Sequence, residues 1–312
     1  MFALIVVDFC SLDRTINYIE HVKESIEHSG KFYAVIVDNS PEMKDISLMK
    51  NRFGNYITER VCNKKVFVFS CEEREIVYCY SGENLGYAKG NNLGTKIVDE
   101  KWGLDFYLIS NNDIEIRNRI DWKDIKKEFE NKPEVAVIGP RVIGLDGKNQ
   151  SPQKKPGVFG LLFFKYWNAL LGKYSKWSPD LDYSNESKYC YRVMGSFLFI
   201  RSTNFIEVDR FDSHTFMYAE EIILSEKLNK INKKVYFDND INVIHAHGET
   251  VNKTTSVVRG LYWSFESTLY YFEKYRNIPS IITKLAKINF TLYIQLYQFK
   301  QKIKKIMIEN KK

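Results

Sequence analysis

The chain has 312 residues, of which 44% are hydrophobic and 27% are charged. This composition excludes a disordered low-complexity protein, a collagen and a disulfide-stapled scaffold. The net charge is +7, but residues 281–312 contain eight lysines and one acid, so residues 1–280 are neutral overall. Because the excess charge belongs to one terminal segment and to no domain face, we expect no nucleic-acid partner.

The cysteines and the amino terminus bear on the cellular compartment. The five cysteines form no CxxC pair and have no metal-ligand spacing, which favours reduced thiols and a cytoplasmic protein. The first apolar run ends at Asp8 and no basic segment precedes it, as in a buried strand and unlike a signal peptide. The sequence contains no run of about 18 apolar residues, so we expect no transmembrane helix.

The first 140 residues alternate strand-like and helix-like segments. The predicted strands are 3–7, 32–37, 66–70, 76–80, 105–109 and 135–139, and the predicted helices are 12–28 and 88–98. This alternation predicts an α/β fold with a mostly parallel sheet and helices on both faces. In such sheets ligands bind at the carboxyl ends of the strands.

The second half of the chain has a different pattern. Residues 141–190 are rich in Pro and Gly, which predicts long loops with a short helix. Further strands are predicted at 193–200 and 234–244, and a helix is predicted within 213–229. From about residue 255 onward the pattern is helical.

Three polar clusters follow or precede predicted elements. Asn111-Asn112-Asp113 follows a strand and suits a hard divalent cation that also binds phosphate oxygens, although Asx-rich turns use the same residues. Glu220-Glu221 begins a helix, either as a complement to the helix dipole or as a general base. His245 and His247 share one face of a strand end, where they are either structural or metal ligands.

A glycine-containing segment precedes the helix predicted at 88–98. Its sequence, Asn-Leu-Gly-Tyr-Ala-Lys-Gly-Asn-Asn over residues 84–92, allows the backbone to approach a nucleotide closely. It matches neither the P-loop nor the dinucleotide-binding fingerprint, so by itself it identifies no ligand.

The order of these pieces is more specific than any one of them. It runs through Asp38-Asn39-Ser40, Asn84-x-Gly86-x-x-x-Gly90-Asn91-Asn92, Asn111-Asn112-Asp113, Gly139-Pro140, Met194-Gly195, Phe211-Asp212, Phe216-Met217-Tyr218-x-Glu220-Glu221 and His245. Over about residues 3–275 this series resembles the inverting family 2 glycosyltransferases of GT-A fold. Within that family it is most similar to the rhamnosyltransferase-type enzymes of bacterial O-antigen and capsule assembly.

The resemblance implies a role for each matching position. It implies donor contacts at Asp8, Asp38, Asn84, Gly86, Lys89, Asn91, Asn112 and Asp113. It implies a Mn²⁺ or Mg²⁺ site at Asn111, Asp113 and His245, with Asn111 standing where the family has the first Asp of its DxD motif. It implies a catalytic pair at Glu220 and Glu221, with Glu221 in the position of the base.

The resemblance also implies an organisation and a pathway. A GT-A catalytic domain would occupy residues 1–255, with a nucleotide-sugar half at about 1–140 and an acceptor half at about 141–255. A helical segment with a basic amphipathic tail would follow over 256–312. The reaction would move a sugar, with dTDP-rhamnose favoured, to a lipid-linked, undecaprenyl-type glycan at the cytoplasmic face of the bacterial inner membrane. UDP-sugar donors and a non-catalytic membrane-associated scaffold are the alternatives.

The C-terminal segment has an apolar stripe at helical spacing. The stripe comprises Leu285, Ile288, Leu292, Leu296, Phe299, Ile303 and Ile306. The pattern is compatible with a helix packed on its own domain, with a homodimer, or with an interfacial helix on an anionic membrane. We favour the membrane, with contacts from Lys284, Lys287, Lys302, Lys304 and Lys305.

Overall fold

The computed structural model describes residues 1–170, 181–182, 185–246 and 257–309. The described residues fall into two compact units. One lies within Met1–Lys154 and Leu181–Thr254, and the other within Lys155–Asp180 and Thr255–Lys312. Residues 155–170 therefore group with the C-terminal helices, whereas the sequence pattern placed them in the acceptor half of a catalytic domain.

The first unit is built on one large sheet. Its strands are β1 (Phe2–Asp8), β3 (Phe32–Asp38), β4 (Tyr56–Val61), β5 (Lys64–Ser70), β6 (Arg74–Tyr80), β7 (Phe106–Ser110), β8 (Ile114–Ile116), β10 (Val135–Gly144), β11 (Lys188–Cys190), β12 (Phe197–Arg201) and β13 (Lys234–His245). The order across the sheet is β11-β13-β10-β12-β7-β1-β3-β6-β5-β4, with β8 paired to β13. Two short strands, β2 (Ile26–Glu27) and β9 (Ile120–Asp121), pair with each other.

Helices flank the sheet in the first unit and make up the described part of the second. In the first unit they are α1 (Leu12–Ser25), α2 (Ser47–Phe53), α3 (Gly86–Lys101), α4 (Trp122–Asn131), α6 (Ser202–Glu207) and α7 (Glu220–Lys230). In the second they are a π-helical turn (Gly160–Phe164), α5 (Lys165–Leu170), α8 (Val257–Tyr275) and α9 (Ser280–Glu309). The predicted α/β class with C-terminal helices is confirmed.

The sheet mixes parallel and antiparallel pairs. Strands β7, β1, β3 and β6 are parallel neighbours, as predicted for the first 140 residues, and β10 and β13 are parallel as well. Strand β12 is antiparallel to both of its neighbours, and β4, β5 and β6 form antiparallel pairs, so the parallel arrangement is interrupted on both sides of the centre. For β4 and β5 the reason is local: Cys62 and Asn63 both have positive φ, as in a type I′ turn, which connects antiparallel neighbours.

Both faces of the central strands are buried. Alternate residues of β1 belong to different cores: Phe2 and Leu4 pack in one apolar cluster, and Ala3 and Ile5 pack in the other. Strands covered on both faces have continuous apolar runs without alternation, which is why β1 is recognisable from its sequence. Gly94 of α3 lies so close to the sheet that an added Cβ would be 2.4 Å from Ile5 Cγ2.

The second unit has an aromatic core. Phe265 of α8 stacks on Phe290 of α9 with ring centroids 4.1 Å apart. Tyr166 of α5 is 1% exposed and contacts both Phe290 and Tyr293. Offset and edge contacts of this kind add to the burial energy of the rings. Across the described helices, none combines the length and the apolar character that a bilayer span requires.

The contact between α3 and β1 gives a test of the packing. We expect Gly94→Ala to lower the free energy of unfolding by about 1–3 kcal/mol, because the new methyl group overpacks Ile5. Lys96→Ala, at an exposed position of the same helix, should change it by less than about 0.5 kcal/mol. Urea unfolding measures both, and equal midpoints for the two variants would contradict the close contact.

Candidate functional site

Polar residues collect where the central parallel strands end. Asp8 ends β1 and is in register with Asp38 at the end of β3, which is in turn in register with Tyr80 at the end of β6. Asn111 follows β7 directly. Because parallel strands end at the same edge of a sheet, residues far apart in sequence meet there.

Asp8 lies at the centre of a closed hydrogen-bond network. Its carboxylate accepts bonds from the hydroxyls of Thr15 at 2.6 Å and Ser11 at 2.8 Å. The Asn112 amide donates to the same two hydroxyl oxygens at 2.7 and 2.9 Å. Burial raises the pKa of Asp8, while the two hydroxyl donors favour its ionised form. Asp8 and Asn112 thus connect the ends of β1 and β7 to helix α1.

Asp38 is also fully buried and bonded within the protein. One carboxylate oxygen accepts from the backbone N–H of Ser40 at 2.9 Å, and the other accepts from the Tyr78 hydroxyl at 2.5 Å. The neighbouring Asn39 amide donates to the Gly86 carbonyl at 3.1 Å. The strand end at Asp38 is therefore connected to the glycine-containing segment.

The glycine-containing segment begins α3. The Asn84 side chain accepts a bond from the Gly86 N–H at 3.0 Å, and Gly86 has a φ of +73°. A Cβ at Gly86 would lie 2.1 Å from the Phe216 carbonyl oxygen, which itself accepts a bond from the N–H of Tyr87. Only glycine therefore fits this close approach between the segment and the chain before α7.

The other donor-site residues of this segment differ in exposure. Asn84 and Lys89 are exposed and reach solvent. Asn91 is 1% exposed, and its amide donates to the Tyr87 carbonyl at 3.0 Å. Asn91 thus faces the interior of the unit, where it holds the first turn of α3.

A carboxylate and an imidazole face each other at the end of β13. Asp113 Oδ1 is buried, has no hydrogen-bond partner among the described residues and lies 3.4 Å from Nε2 of His245. His245 Nδ1 lies 3.1 Å from Oε1 of Gln150, an oxygen that only accepts, so Nδ1 is assigned the proton. Nε2 and the Asp113 carboxylate form an ion pair when the ring is protonated, and with a neutral ring a cation between the two groups would fit the same geometry.

The other residues expected at this metal site lie around that pair. Asn111 is half-buried, and its N–H donates to the Ser196 carbonyl at 3.0 Å. Among the described residues, no three side chains of the His, Cys, Asp and Glu types group together, so the chain itself brings two such ligands here. His247 lies outside the described residues.

Helix α7 begins with the two adjacent acids. Tyr218 and Ala219 before it both have left-handed backbone angles, with φ of 74° and 68°. Glu221 is half-buried, and its Oε1 accepts the N–H of Gly195 at 3.0 Å. The Gly195 carbonyl in turn accepts the Tyr87 hydroxyl at 2.5 Å. A Cβ at Gly195 would lie 2.4 Å from Glu221 Oε1, so glycine is required for this contact.

Glu220 is held in a different environment from Glu221. It is 3% exposed, and its Oε1 has no hydrogen-bond partner in the described structure. Burial raises the pKa of Glu220 well above the ordinary glutamate value, and the charge of Glu221 raises it further. Burial thus favours the neutral form of Glu220, whereas Glu221 is more exposed and accepts a backbone N–H.

Several partners of these residues were not predicted from the sequence. Gln150 is in the loop segment that carried no recognisable pattern, and it contacts His245 across 95 residues of sequence. The hydroxyls of Ser11 and Thr15 around Asp8 were likewise missed. A Ser-x-x-x-Thr spacing after a strand that ends in Asp is the only sequence signal for them.

The fold of the first unit can be compared with known folds. Its mixed sheet with flanking helices matches the GT-A fold of glycosyltransferase structures. A crystal structure of GalNAc-T7 with UDP, GalNAc and Mn²⁺ is similar over 88% of this chain and 49% of that one, with a TM-score of 0.54 and 11% sequence identity. A crystal structure of S. aureus TarS 1–349 with UDP is similar over 88% of this chain and 73% of that one at 14% identity, with a TM-score of only 0.45.

One characterised relative is similar in sequence. It is the low-salt glycan biosynthesis hexosyltransferase Agl10 of Haloferax volcanii, which is 27% identical over 213 residues. The match covers 66% of this chain and 60% of the relative, so the chain spans about three fifths of that protein's length. No protein-family model matches the chain.

The raised pKa of Glu220 predicts a pH-dependent stability. The folded state holds this proton more tightly than the unfolded state, so Glu220 destabilises the fold increasingly as the pH rises above the ordinary value of 4.5. We expect Glu220→Gln to raise the free energy of unfolding by roughly 1 kcal/mol or more near neutral pH, and to have little effect below that value.

Thermal and urea unfolding across this pH range measure the difference. Glu72→Gln, which removes an exposed acid, is the matched control and should follow the wild-type profile. A Glu220→Gln profile parallel to the wild type at every pH would show that Glu220 is ionised in the folded protein.

Proposed function

We propose that the protein is an inverting glycosyltransferase that moves a sugar from a nucleotide-sugar donor to a lipid-linked glycan. One observation supports this most directly. The adjacent residues Gly195 and Ser196 bond to both parts of the site: the Gly195 N–H to Glu221, and the Ser196 carbonyl to Asn111 beside Asp113. A carboxylate suited to act as a base and a pair suited to hold a cation are thus fixed to one short segment. The similarity to the hexosyltransferase Agl10 supports sugar transfer.

Glu221 is the proposed base. In a single displacement the acceptor oxygen forms a bond to the anomeric carbon while the bond from that carbon to the diphosphate breaks. The electron pair leaves with the nucleoside diphosphate, and the hydroxyl proton passes to the carboxylate of Glu221. The Gly195 N–H orients this carboxylate. One base on one face is sufficient for inversion at the anomeric carbon.

Asp113 and His245 are the proposed ligands of a divalent cation. The Asp113 oxygen, which no described residue bonds, and the facing His245 nitrogen fit such an ion, since carboxylates suit Mn²⁺ and imidazole binds divalent transition metals. Asn111 and Asn112 supply amides beside them. When bound, the ion would neutralise charge on the leaving diphosphate. Gln150 would hold the His245 ring in the required tautomer.

Two donor classes remain in competition. dTDP-rhamnose is favoured by the resemblance of the ordered motifs to rhamnosyltransferase-type enzymes. A UDP-sugar, such as UDP-galactofuranose, UDP-galactose or UDP-N-acetylglucosamine, is the second candidate, and the UDP in the similar GalNAc-T7 crystal structure favours it. In either case the proposed donor contacts are the exposed side chains of Asn84 and Lys89; Gly86 between them is packed against the Phe216 backbone.

The proposed acceptor is an undecaprenyl-type lipid-linked glycan of surface polysaccharide biosynthesis. Such an acceptor is presented at the cytoplasmic face of the membrane, so the enzyme would work as a peripheral protein there. The reduced state expected of the five cysteines agrees with that compartment.

Calorimetric titration of UDP, dTDP, GDP and CMP, with Mn²⁺ and with a chelator, tests the donor site. We expect one nucleotide to bind more tightly with Mn²⁺, and Asp113→Asn to remove at least about tenfold of that metal-dependent affinity. Asp124→Asn, which removes an exposed acid of α4, is the control and should bind as the wild type does. Absence of binding by all four nucleotides in both conditions would overturn the donor-site proposal.

Glu221→Gln tests the base. The amide oxygen still accepts the Gly195 N–H, so we expect unchanged nucleotide affinity but at least about a hundredfold slower transfer. The assay is release of nucleoside diphosphate from the selected donor, with a membrane extract as acceptor source. Glu221→Asp keeps a carboxylate and should retain part of the rate. Equal losses of affinity and rate in Glu221→Gln would assign the residue a structural role.

A further inference from the structure

Helix α9 has two apolar faces. Ala286, Phe290, Tyr293 and Ile294 are at most 4% exposed and pack within the second unit, where Phe290 stacks on Phe265 of α8. A helix that needs only to pack on its own unit has polar residues on its other side. The other side of α9 is apolar as well.

The second apolar face is exposed along almost the whole helix. We call it the outer stripe; it comprises Ile281, Leu285, Ile288, Leu292, Leu296, Phe299, Ile303 and Ile306. Each of these side chains is between 42% and 61% exposed. Single exposed apolar residues are ordinary, but a continuous row of this length marks an interaction surface.

The spacing of the outer stripe indicates a flat partner. Its successive steps are four, three, four, four, three, four and three residues. The consecutive steps of four between Ile288 and Leu296 interrupt the heptad phase that a left-handed coiled coil requires. On a straight helix of about 3.6 residues per turn, the stripe stays on one side for about 38 Å. It therefore suits a plane better than the supercoiled seam of a second copy.

The charges around the stripe indicate an anionic partner. Lys284, Lys287 and Lys302 are exposed on the helix, and the only acid of α9 is Glu309 at its end. Two copies of this helix would bring like charges together. A surface of lipid phosphates would instead attract the lysines, whose stems extend along apolar surface toward the headgroups.

We propose that the outer stripe of α9 lies in the headgroup boundary of an anionic bilayer, with the helix axis parallel to the membrane plane. Lys284, Lys287 and Lys302 reach the lipid phosphates from the flank of the stripe. The side chains of Lys304 and Lys305 lie outside the described structure. This contact is a surface property and does not depend on the proposed reaction.

Vesicle co-sedimentation of the full-length protein tests the contact. Vesicles of phosphatidylcholine mixed with phosphatidylglycerol are compared with phosphatidylcholine alone. We expect the double variant Leu292→Gln with Phe299→Gln to reduce partition onto the mixed vesicles at least about tenfold, since two large apolar groups are lost. The matched control, Thr291→Gln with Gln298→Thr, alters exposed polar positions of the same turns and should bind as the wild type does.

A second variant separates charge from apolar burial. Lys284→Gln with Lys287→Gln should weaken binding to the mixed vesicles several-fold and leave binding to phosphatidylcholine unchanged. Nucleotide titration of every variant reports whether the first unit is intact, so a failed donor site and a failed membrane contact are distinguishable.

Two outcomes would overturn the proposal. The first is wild-type sedimentation of the Leu292→Gln, Phe299→Gln variant. The second is a wild-type protein that does not sediment with either vesicle but is dimeric by light scattering, and becomes monomeric in that variant. The second result would assign the outer stripe to a second copy of this chain.

Discussion

Two backbone groups of adjacent residues hold the candidate site together. The Gly195 N–H bonds to Glu221 at the start of α7, and the Ser196 carbonyl bonds to Asn111 at the end of β7. Because both groups lie directly before β12, the sheet fixes the points to which the Glu221 side chain and the backbone of Asn111 are bonded. The same contact explains why residue 195 is a glycine, since a Cβ there would collide with the Glu221 carboxylate.

Four acids of the candidate site, Asp8, Asp38, Asp113 and Glu220, divide into two kinds. Asp8 and Asp38 accept hydrogen bonds from hydroxyl and backbone donors and connect strand ends to helices. Asp113 and Glu220 each keep a buried oxygen without a hydrogen-bond partner in the described structure. A buried acceptor without a donor is costly unless a proton or a cation compensates it. Burial therefore favours a protonated Glu220, and an imidazole nitrogen beside Asp113 favours a cation.

Sequence patterns predicted the elements whose burial leaves a clear pattern of apolar residues. Strands β1 and β3 are continuous apolar runs because both of their faces are covered, and the start of α7 was marked by Glu220-Glu221. Strand β4 was missed, since its residues are mostly exposed and show no alternation. The partners of Asp8 and His245 were missed because a hydroxyl or an amide far along the chain leaves no periodic signal. The grouping of residues 155–170 with the C-terminal helices was also not predicted, because it depends on tertiary packing, which leaves no periodic signal in the sequence.

The placement of Asp113 and His245 has a consequence for the time at which the site forms. They lie 132 positions apart in the sequence, and His245 is held by β13, which pairs with β10 and with β8. Sheets closed by such distant pairings form late, because the intervening chain must first be ordered. During synthesis, residue 245 leaves the ribosome after Asp113. Until it does, the chain has neither the contact between Asp113 and His245 nor a complete strand β13. Newly made protein thus lacks the facing Asp113 and His245 side chains until its sheet is closed.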